Sequence, residues 1–502
     1  MTAEWTVRRL QTTLRKYFGG QQLIVVSNRE PRVHEMSPDG TIVTRRPTSG
    51  LVTALDPVLR AAGGTWIAHG SGSGDRAVTD RFDRIRVEEE DGGYTLRRVW
   101  LTRGEERGYY QGFSNSALWP LCHLAFESPR FTRSDWRHYQ SVNERFADAV
   151  VAESASSSPV VLVQDYHFAL LPALLRQRLP EAIIATFWHI PWPAATRFTR
   201  FPCGTALLEG LLGSDIVGFQ TGEHARSFLE CVSAADIPAD LSSGLVGRAH
   251  GTVSVRDYPI SVEWPSRWAR TTPDVAECRR SVREELGIAP DTPLMVSVDR
   301  LDYTKGIEER LHAIRRLLAR GNATVGRPVF LQIAAPSRTR IERYRLLGER
   351  VRAQVDAINE RFGDAGYEPV VLVEQNVDPE VVFRLFRAAD ACHVNSLDDG
   401  MNLVAKEFVS ARDDARGVLL LSRFTGAARE LSGAILVNPF DIDSSADAIA
   451  DGLTMAEDEQ ERRMLMMRRH LEHHDVYRWA GRLLEDASTA RVAQQTPFAA
   501  IG

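Results

Sequence analysis

Cysteine is scarce in this 502-residue chain, and the five present, Cys122, Cys203, Cys231, Cys278 and Cys392, are scattered. No pair has the close spacing of a zinc site or a disulfide frame, so reduced thiols are expected. Positive charge is not in excess: 61 basic residues face 66 acidic ones, for a formal charge of −5, without the basic footprint of a nucleic-acid binder. No apolar run approaches the ~18 residues of a membrane span. The opening MTAEWTVRRLQ lacks the apolar core of a signal peptide. These absences lead us to expect a cytoplasmic protein that acts on small molecules, with no nucleic-acid or membrane partner; whether identical chains form a homo-oligomer is left open. Lysine occurs only as Lys16, Lys305 and Lys406. The last two fall inside motifs, where an ammonium on a flexible stem suits a phosphate.

What is present is ordinary globular composition, 43% hydrophobic and 25% charged, in a chain too long for one core. Short apolar runs recur at 23–26, 160–163, 183–187, 216–219, 294–298, 329–333, 370–373, 391–394 and 418–421, most of them separated by segments of helical period. Such alternation predicts an α/β fold with parallel sheets covered by helices. The stretch DYPISVEWPSRWARTTP, residues 257–273, marks a joint between two halves. Domains are expected at 1–262 and 263–474, followed by a segment 475–502 whose amphipathic start, DVYRWAGRLLEDA, would pack back on the first domain as a helix. The tail from Gln494 is expected to fray. Ligands of such sheets sit beyond the carboxyl ends of the strands, and Asp165, His167, His189, Arg300, Arg338 and Asp399 all fall there.

The run NSLDDGMNLVAKEFVS, residues 395–410, concentrates the most chemistry. An apolar strand runs into a polar turn, and a helix is expected over 401–412 with Asp399 as the last residue before it. The backbone N–H groups of Gly400, Met401, Asn402, Leu403 and Val404 would then be the unpaired donors of a helix N-terminus, which suits a diphosphate. Asp399 and Glu407, two turns apart, could hold hydroxyl groups of one long ligand. The plainer reading makes Asp399 a helix cap and Glu407 a solvated residue.

Two earlier stretches carry further candidates. After the first apolar run, polar residues continue to Gly50 and read as one long loop, with Arg29 near its start and Ser49–Gly50 before a helix at 51–62. Long loops in compact domains are uncommon and often functional. Gly50 would let backbone approach a ligand at that helix start, while Arg29 reads equally as a surface ion-pair partner. In YYQGFSNSALWPLCH, Tyr109, Tyr110, Phe113 and Trp119 either wall a sugar pocket beside Ser114 and Asn115 or fill the core, the commoner use of such clusters.

Taken in order, SNR at 27–29, SGL at 49–51, FSN and LWP within 113–120, DYH at 165–167, HIPWP at 189–193, GFQT at 218–221, RLDYTKG at 300–306, PSR at 336–338 and DGMNLVAKE at 399–407 resemble the trehalose-6-phosphate synthase family of retaining glycosyltransferases, family 20. The resemblance implies the GT-B arrangement: α/β, with two Rossmann-like domains whose parallel sheets face across a cleft that holds the active site. It implies transfer of glucose from a nucleoside diphosphate glucose to glucose 6-phosphate. The alternatives are synthesis of glucosylglycerol phosphate, pseudo-glycosyl transfer to a related phosphorylated acceptor, and an inactive GT-B protein that senses sugar phosphate.

By the same resemblance Arg300 and Lys305 neutralise the donor diphosphate, helped by the N–H groups of residues 400–404, with Gly50 in the loop that closes over the donor phosphates. Glu407 holds the nucleotide ribose, and Asp399 and His189 the transferred glucose. Arg29, Tyr110, Trp119 and Arg338 grip glucose 6-phosphate, with Asp165 as an orienting carboxylate beside the acceptor hydroxyls. Catalysis is expected from Arg300, Lys305, Asp165, His189 and Asp399. No cofactor is expected, since the nucleotide sugar is a co-substrate, and no metal, since the Arg300 and Lys305 cations would replace one; the base is usually held by backbone groups and shape, so the sequence leaves UDP, GDP and ADP as alternatives.

Overall fold

The computed structural model describes residues 5–47, 50–89, 92–124, 127–248, 251–321 and 325–493; Ser49 and the tail from Gln494, both singled out above, lie outside them. The chain divides into two α/β units, one made of Met1–Ile260 with Val476–Gly502 and one of Ser261–Asp475.

The first unit contains strands β1 (Leu23–Ser27), β2 (Val33–Met36), β3 (Ile42–Arg45), β4 (Thr65–His69), β5 (Arg84–Glu89), β6 (Gly92–Val99), β7 (Val160–Gln164), β8 (Ile183–Trp188), β9 (Ile216–Phe219), β10 (Ala239–Asp240), β11 (Leu245–Arg248) and β12 (Gly251–Asp257). Ten of them form one sheet in the order β10-β11-β12-β9-β8-β7-β1-β4-β6-β5. The strands from β12 to β6 pair in parallel, and β5, β10 and β11 add antiparallel edges. β1, β7, β8 and β9 are buried along their whole length, as unbroken apolar runs require when helices cover both faces. The order grows one way from β1 through β4 and β6, and the other way from β7 through β8 and β9. The junction of β1 and β7 is therefore the topological switch point, where such sheets take ligands.

The stretch between β1 and Gly50, expected as an unbroken loop, instead carries the antiparallel hairpin β2–β3, in register Val33↔Arg45. All four β3 residues are exposed, so no buried face imposes the alternation by which a strand is read.

The C-terminal helix Val476–Ala493 lies on this unit against the first helix, Val7–Phe18, and against β8 and β9. Its Ala480, Leu483, Leu484 and Ala487 are fully buried. Trp5 packs so closely over Gly481 that an added Cβ would lie 1.8 Å from its ring. The hydroxyls of Tyr17 and Tyr258 donate to Glu485 and Asp486.

The second unit holds β13 (Leu294–Arg300), β14 (Val329–Ala335), β15 (Val370–Val373), β16 (Ala391–Val394), β17 (Val418–Ser422) and β18 (Ile435–Val437), all parallel, in the order β15-β14-β13-β16-β17-β18. This is the Rossmann order 3-2-1-4-5-6, with its switch point between β13 and β16. Met295, Phe330, Ala391 and Leu420 on the sheet form one core with Leu311 and Ile314 of the helix Ile307–Arg320. Among the described residues no helix is long and apolar enough to cross a membrane.

Candidate active site

At the switch point of the second unit, β13 ends on Arg300 and the chain enters the tight turn Tyr303–Lys305, followed by Gly306 in left-handed conformation, φ 61°. Only glycine fits there, because a Cβ would lie 2.1 Å from the carbonyl oxygen of Asn395 beyond β16. The Asn395 amide in turn donates to the Gly306 carbonyl at 3.1 Å. This stitching of β13 to β16 sets Lys305 Nζ 2.6 Å from Asp399 Oδ2. The same oxygen accepts from Asn402 Nδ2 at 3.0 Å and Ser396 Oγ at 3.3 Å.

Asp302, which the sequence reading passed over, lies fully buried among these cations. Its Oδ1 accepts from the backbone N and the Oγ1 of Thr304, both at 3.1 Å. Its Oδ2 accepts from Arg338 Nη1 at 2.8 Å and stands 3.7 Å from Arg300 Nη2. Burial would raise the pKa of this carboxyl, but Arg338, Arg300 and Lys305 outweigh burial and hold it below the usual carboxylate range. Arg338 has a left-handed backbone, φ 51°, and its Nη1 also donates to the Tyr344 hydroxyl at 2.5 Å.

The helix beyond Asp399 begins later than the sequence suggested. It spans Leu403–Ala411 and is capped by Asn402 at φ 93°, whose Oδ1 accepts from Ala405 N at 3.1 Å. Asparagine both caps and tolerates positive φ, and the Asp399 carboxylate is engaged by Lys305 instead. Leu403 and Val404 thus open the first helical turn, while Gly400 and Met401 form the buried approach to it. Desolvation pushes the Glu407 carboxyl up to about 7. Lys406 is no phosphate cation: it is fully buried, with Nζ 2.6 Å from Glu430 Oε2, and the other Glu430 oxygen is 3.1 Å from His470 Nε2. Burial alone would raise Glu430, yet Lys406 and His470 bring it down to about 2.

In the first unit, Arg29 follows β1 and is exposed. Ser27 Oγ donates to its carbonyl at 2.6 Å, and Asn28 Oδ1 accepts from the Tyr109 hydroxyl at 3.1 Å. β7 ends on Gln164, and Asp165 follows at φ 75°, its Oδ1 accepting from His189 N at 3.2 Å. His189 Nε2 lies 2.7 Å from Gln164 Oε1, which puts the ring proton on Nε2. Desolvation pushes His189 down to about 3, so the ring is neutral.

Tyr109, Tyr110 and Phe113 lie on a π-helix, Glu106–Leu118, that runs into the short turn Trp119–Cys122. Tyr109 and Phe113 are core, with Phe113 4.4 Å from the Tyr139 ring. Trp119 is also nearly buried and stacks on His123 at 4.1 Å. Tyr110 is half-buried and stacks on His167 at 5.8 Å, and His167 Nδ1 is 4.0 Å from Asp165 Oδ2. Gly50, exposed, opens the helix Gly50–Ala62.

The two switch points differ in chemistry. In the second unit, fixed cations and a helix start offer positive charge to a phosphate. In the first, an exposed guanidinium, a carboxylate, a neutral imidazole and an amide offer contacts for hydroxyls and an anion. Gln164 and Asp302 were missed because each is a polar residue at or just beyond a strand end, a place where the sequence marks several candidates without ranking them.

The family model described as Glycosyltransferase family 20 matches residues 21–489. A trehalose-6-phosphate synthase of Mycobacterium leprae is 38% identical over 497 residues, covering 97% of this chain and 98% of that one. An α,α-trehalose-phosphate synthase (UDP-forming) of Burkholderia xenovorans, solved in complex with glucose-6-phosphate, superposes with a TM-score of 0.80 at 34% identity, covering 93% of this chain and all of that one. A structure from E. coli bound with UDP-2-fluoro glucose superposes with a TM-score of 0.79 at 31% identity over 93% of this chain and 99% of that one.

Proposed function

The chain belongs to glycosyltransferase family 20, and from that premise we propose that it moves glucose from a nucleoside diphosphate glucose to glucose 6-phosphate with retention of configuration, giving trehalose 6-phosphate. The observation that carries the reading is the placement of Arg300 and of the Lys305–Asp399 pair at the switch point of a Rossmann-ordered sheet, beside the start of the helix Leu403–Ala411. The ligands bound by the Burkholderia and E. coli relatives support it.

As the glucose–phosphate bond breaks, negative charge grows on the departing diphosphate. Arg300, Lys305 and the N–H groups at residues 400–404 would meet that charge with donors already in place. Glu407 would accept from the ribose hydroxyls, and Asp399 and His189 would hold the transferred glucose. Arg29, Tyr110, Trp119 and Arg338 would grip the acceptor, and Gly50 would let backbone close over the donor phosphates. In a retaining transfer of this kind, the acceptor oxygen bonds to the anomeric carbon on the face the diphosphate leaves, and its proton passes to a departing phosphate oxygen. Asp165 then orients the acceptor and forms no covalent intermediate. Nucleotide sugar and sugar phosphate are consumed as co-substrates.

A donor-by-acceptor matrix tests this, with UDP-, GDP- and ADP-glucose against glucose 6-phosphate and glycerol 3-phosphate and with product identification. Trehalose 6-phosphate from at least one donor is expected. Turnover with glycerol 3-phosphate only, or no transfer at all, overturns the acceptor or the activity respectively.

A further inference from the structure

We propose that Asp302 is a positioning residue that ties Arg300, at the donor diphosphate, to Arg338, at the acceptor phosphate, and so sets the spacing between the two anions. The inference rests on the roles proposed above for those two arginines.

Three chain segments meet at this one carboxylate: the end of β13, the Tyr303–Lys305 turn, and the residues beyond β14, brought alongside by the register Arg300↔Ala335. The two oxygens divide the work. Oδ1 takes both Thr304 donors and so shapes the turn that presents Lys305. Oδ2 takes Arg338 and faces Arg300. Asp302 is fully buried and carries the same sign of charge as a phosphate, so it acts on a substrate through the cations around it. Arg338 holds a left-handed backbone that a non-glycine residue keeps only where its surroundings impose it; that conformation accompanies the 2.8 Å bond of its side chain to Asp302. Because Oδ2 is shared, a phosphate drawn to one arginine alters the hold on the other, and the two sites become energetically linked.

Asp302→Asn keeps an oxygen for Thr304 and replaces the shared anion by an amide. Calorimetry with the nucleoside diphosphate alone should shift by no more than about twofold to threefold, less than the acceptor constant, because Oδ2 stands 3.7 Å from Arg300 Nη2 but 2.8 Å from Arg338 Nη1. At saturating donor, the apparent constant for glucose 6-phosphate should rise about tenfold or more, the loss typical of a charge-assisted hydrogen bond. In an Arg338→Ala background the same substitution should add little, because residues acting as one unit are not additive. Weakening of diphosphate and acceptor alike together with a lowered Tm, or full additivity in the double variant, reduces Asp302 to a structural role and overturns the proposal. Should Asp302→Asn not fold, Thr304→Val decides: it removes one hydroxyl donor to Oδ1, loosening both the turn that presents Lys305 and the carboxylate that holds Arg338, and should weaken glucose 6-phosphate by about threefold alongside the diphosphate; a wild-type acceptor constant there also overturns the proposal. Arg300→Ala and Arg338→Ala, run alongside, separate the two levels. If Arg300→Ala binds the diphosphate normally, or Arg338→Ala uses glucose 6-phosphate normally, the site reading itself fails. If both lose their ligand and Asp302→Asn does not behave as stated, only the link fails.

Discussion

Lys305 Nζ lies 2.6 Å from Asp399 Oδ2, so the cation assigned to the diphosphate is held by the carboxylate assigned to the transferred glucose. Both side chains are mostly buried, at 14% and 16% exposure. An arriving nucleotide sugar would find the ammonium aimed and partly desolvated, which lowers the cost of organising the charge during bond breakage.

Lys305→Ala and Arg300→Ala should therefore each lower kcat strongly, on the order of 10²–10³-fold, the loss seen when one preorganised donor is removed. Stability should change little in Lys305→Ala, because Asp399 keeps its bonds from Asn402 and Ser396. Near-normal kcat at saturating donor in either variant removes the diphosphate assignment.

Activity should persist in excess EDTA. Arg300, Lys305 and the start of the helix Leu403–Ala411 supply fixed positive charge where a divalent ion otherwise would. Complete loss of turnover, restored by magnesium or manganese, contradicts this assignment of the charge.

Arg29 is exposed, so Arg29→Ala should leave Tm unchanged. The constant for glucose 6-phosphate should rise by about tenfold or more, and that for the donor far less. Free glucose should turn over poorly even when concentrated, because the phosphate contact orients the reacting end as well as binding it. Equal use of glucose and glucose 6-phosphate means the acceptor phosphate is not gripped here.

Glu407 provides a pH signature. Burial raises its carboxyl to about 7, so the free protein carries it protonated below that pH and ionised above. Ribose hydroxyls donating to the carboxylate favour the ionised form and lower this pKa. Binding of a nucleotide sugar near pH 6 should then release a fraction of a proton, seen by calorimetry in buffers of different ionisation enthalpy, and affinity should rise with pH toward about 7. Glu407→Gln should abolish both effects. A proton release that survives in that variant belongs to another group.

His189 is pushed down to about 3 by desolvation, from a value near 6.5 in the unfolded chain. Below about pH 6.5 the unfolded state binds the extra proton, so this residue's contribution to stability is full above that pH and declines as pH falls toward 3. The loss of Tm between pH 7.5 and 5 should be smaller in His189→Gln than in wild type. An imidazole resonance that titrates between pH 5 and 8 and disappears in the variant would disprove the neutral assignment.

Every apolar run read as a strand in the sequence is a strand, because a parallel sheet buried on both faces demands unbroken Val, Ile and Leu. What the pattern could not show is where pairing stops. β13 runs on through Asp299 and Arg300, and β7 through Gln164, since backbone pairing is indifferent to side-chain polarity. The hairpin β2–β3 was hidden for the converse reason: its exposed residues carry no period. Among the candidate site residues, Asp399 and Glu407 stood out from turn and helix chemistry, but the cap fell to Asn402, a choice made by tertiary competition when Lys305 takes the aspartate. Lys406 was misread for a related cause. One step along a helix turns a side chain by about 100°, which takes it from Glu407's direction to the buried one where Glu430 waits.

The helix Val476–Ala493 gives the first unit a history as well as a shape. A ribosome delivers the chain from its N-terminus, so the surface that Leu483 and Leu484 finally cover is made early and covered last. All of Ser261–Asp475 must be translated in between, roughly ten to forty seconds at ~5–20 residues per second. The second unit is thus synthesised before the first receives its closing segment, and the fold of the first unit is completed by residues made after the whole of the second.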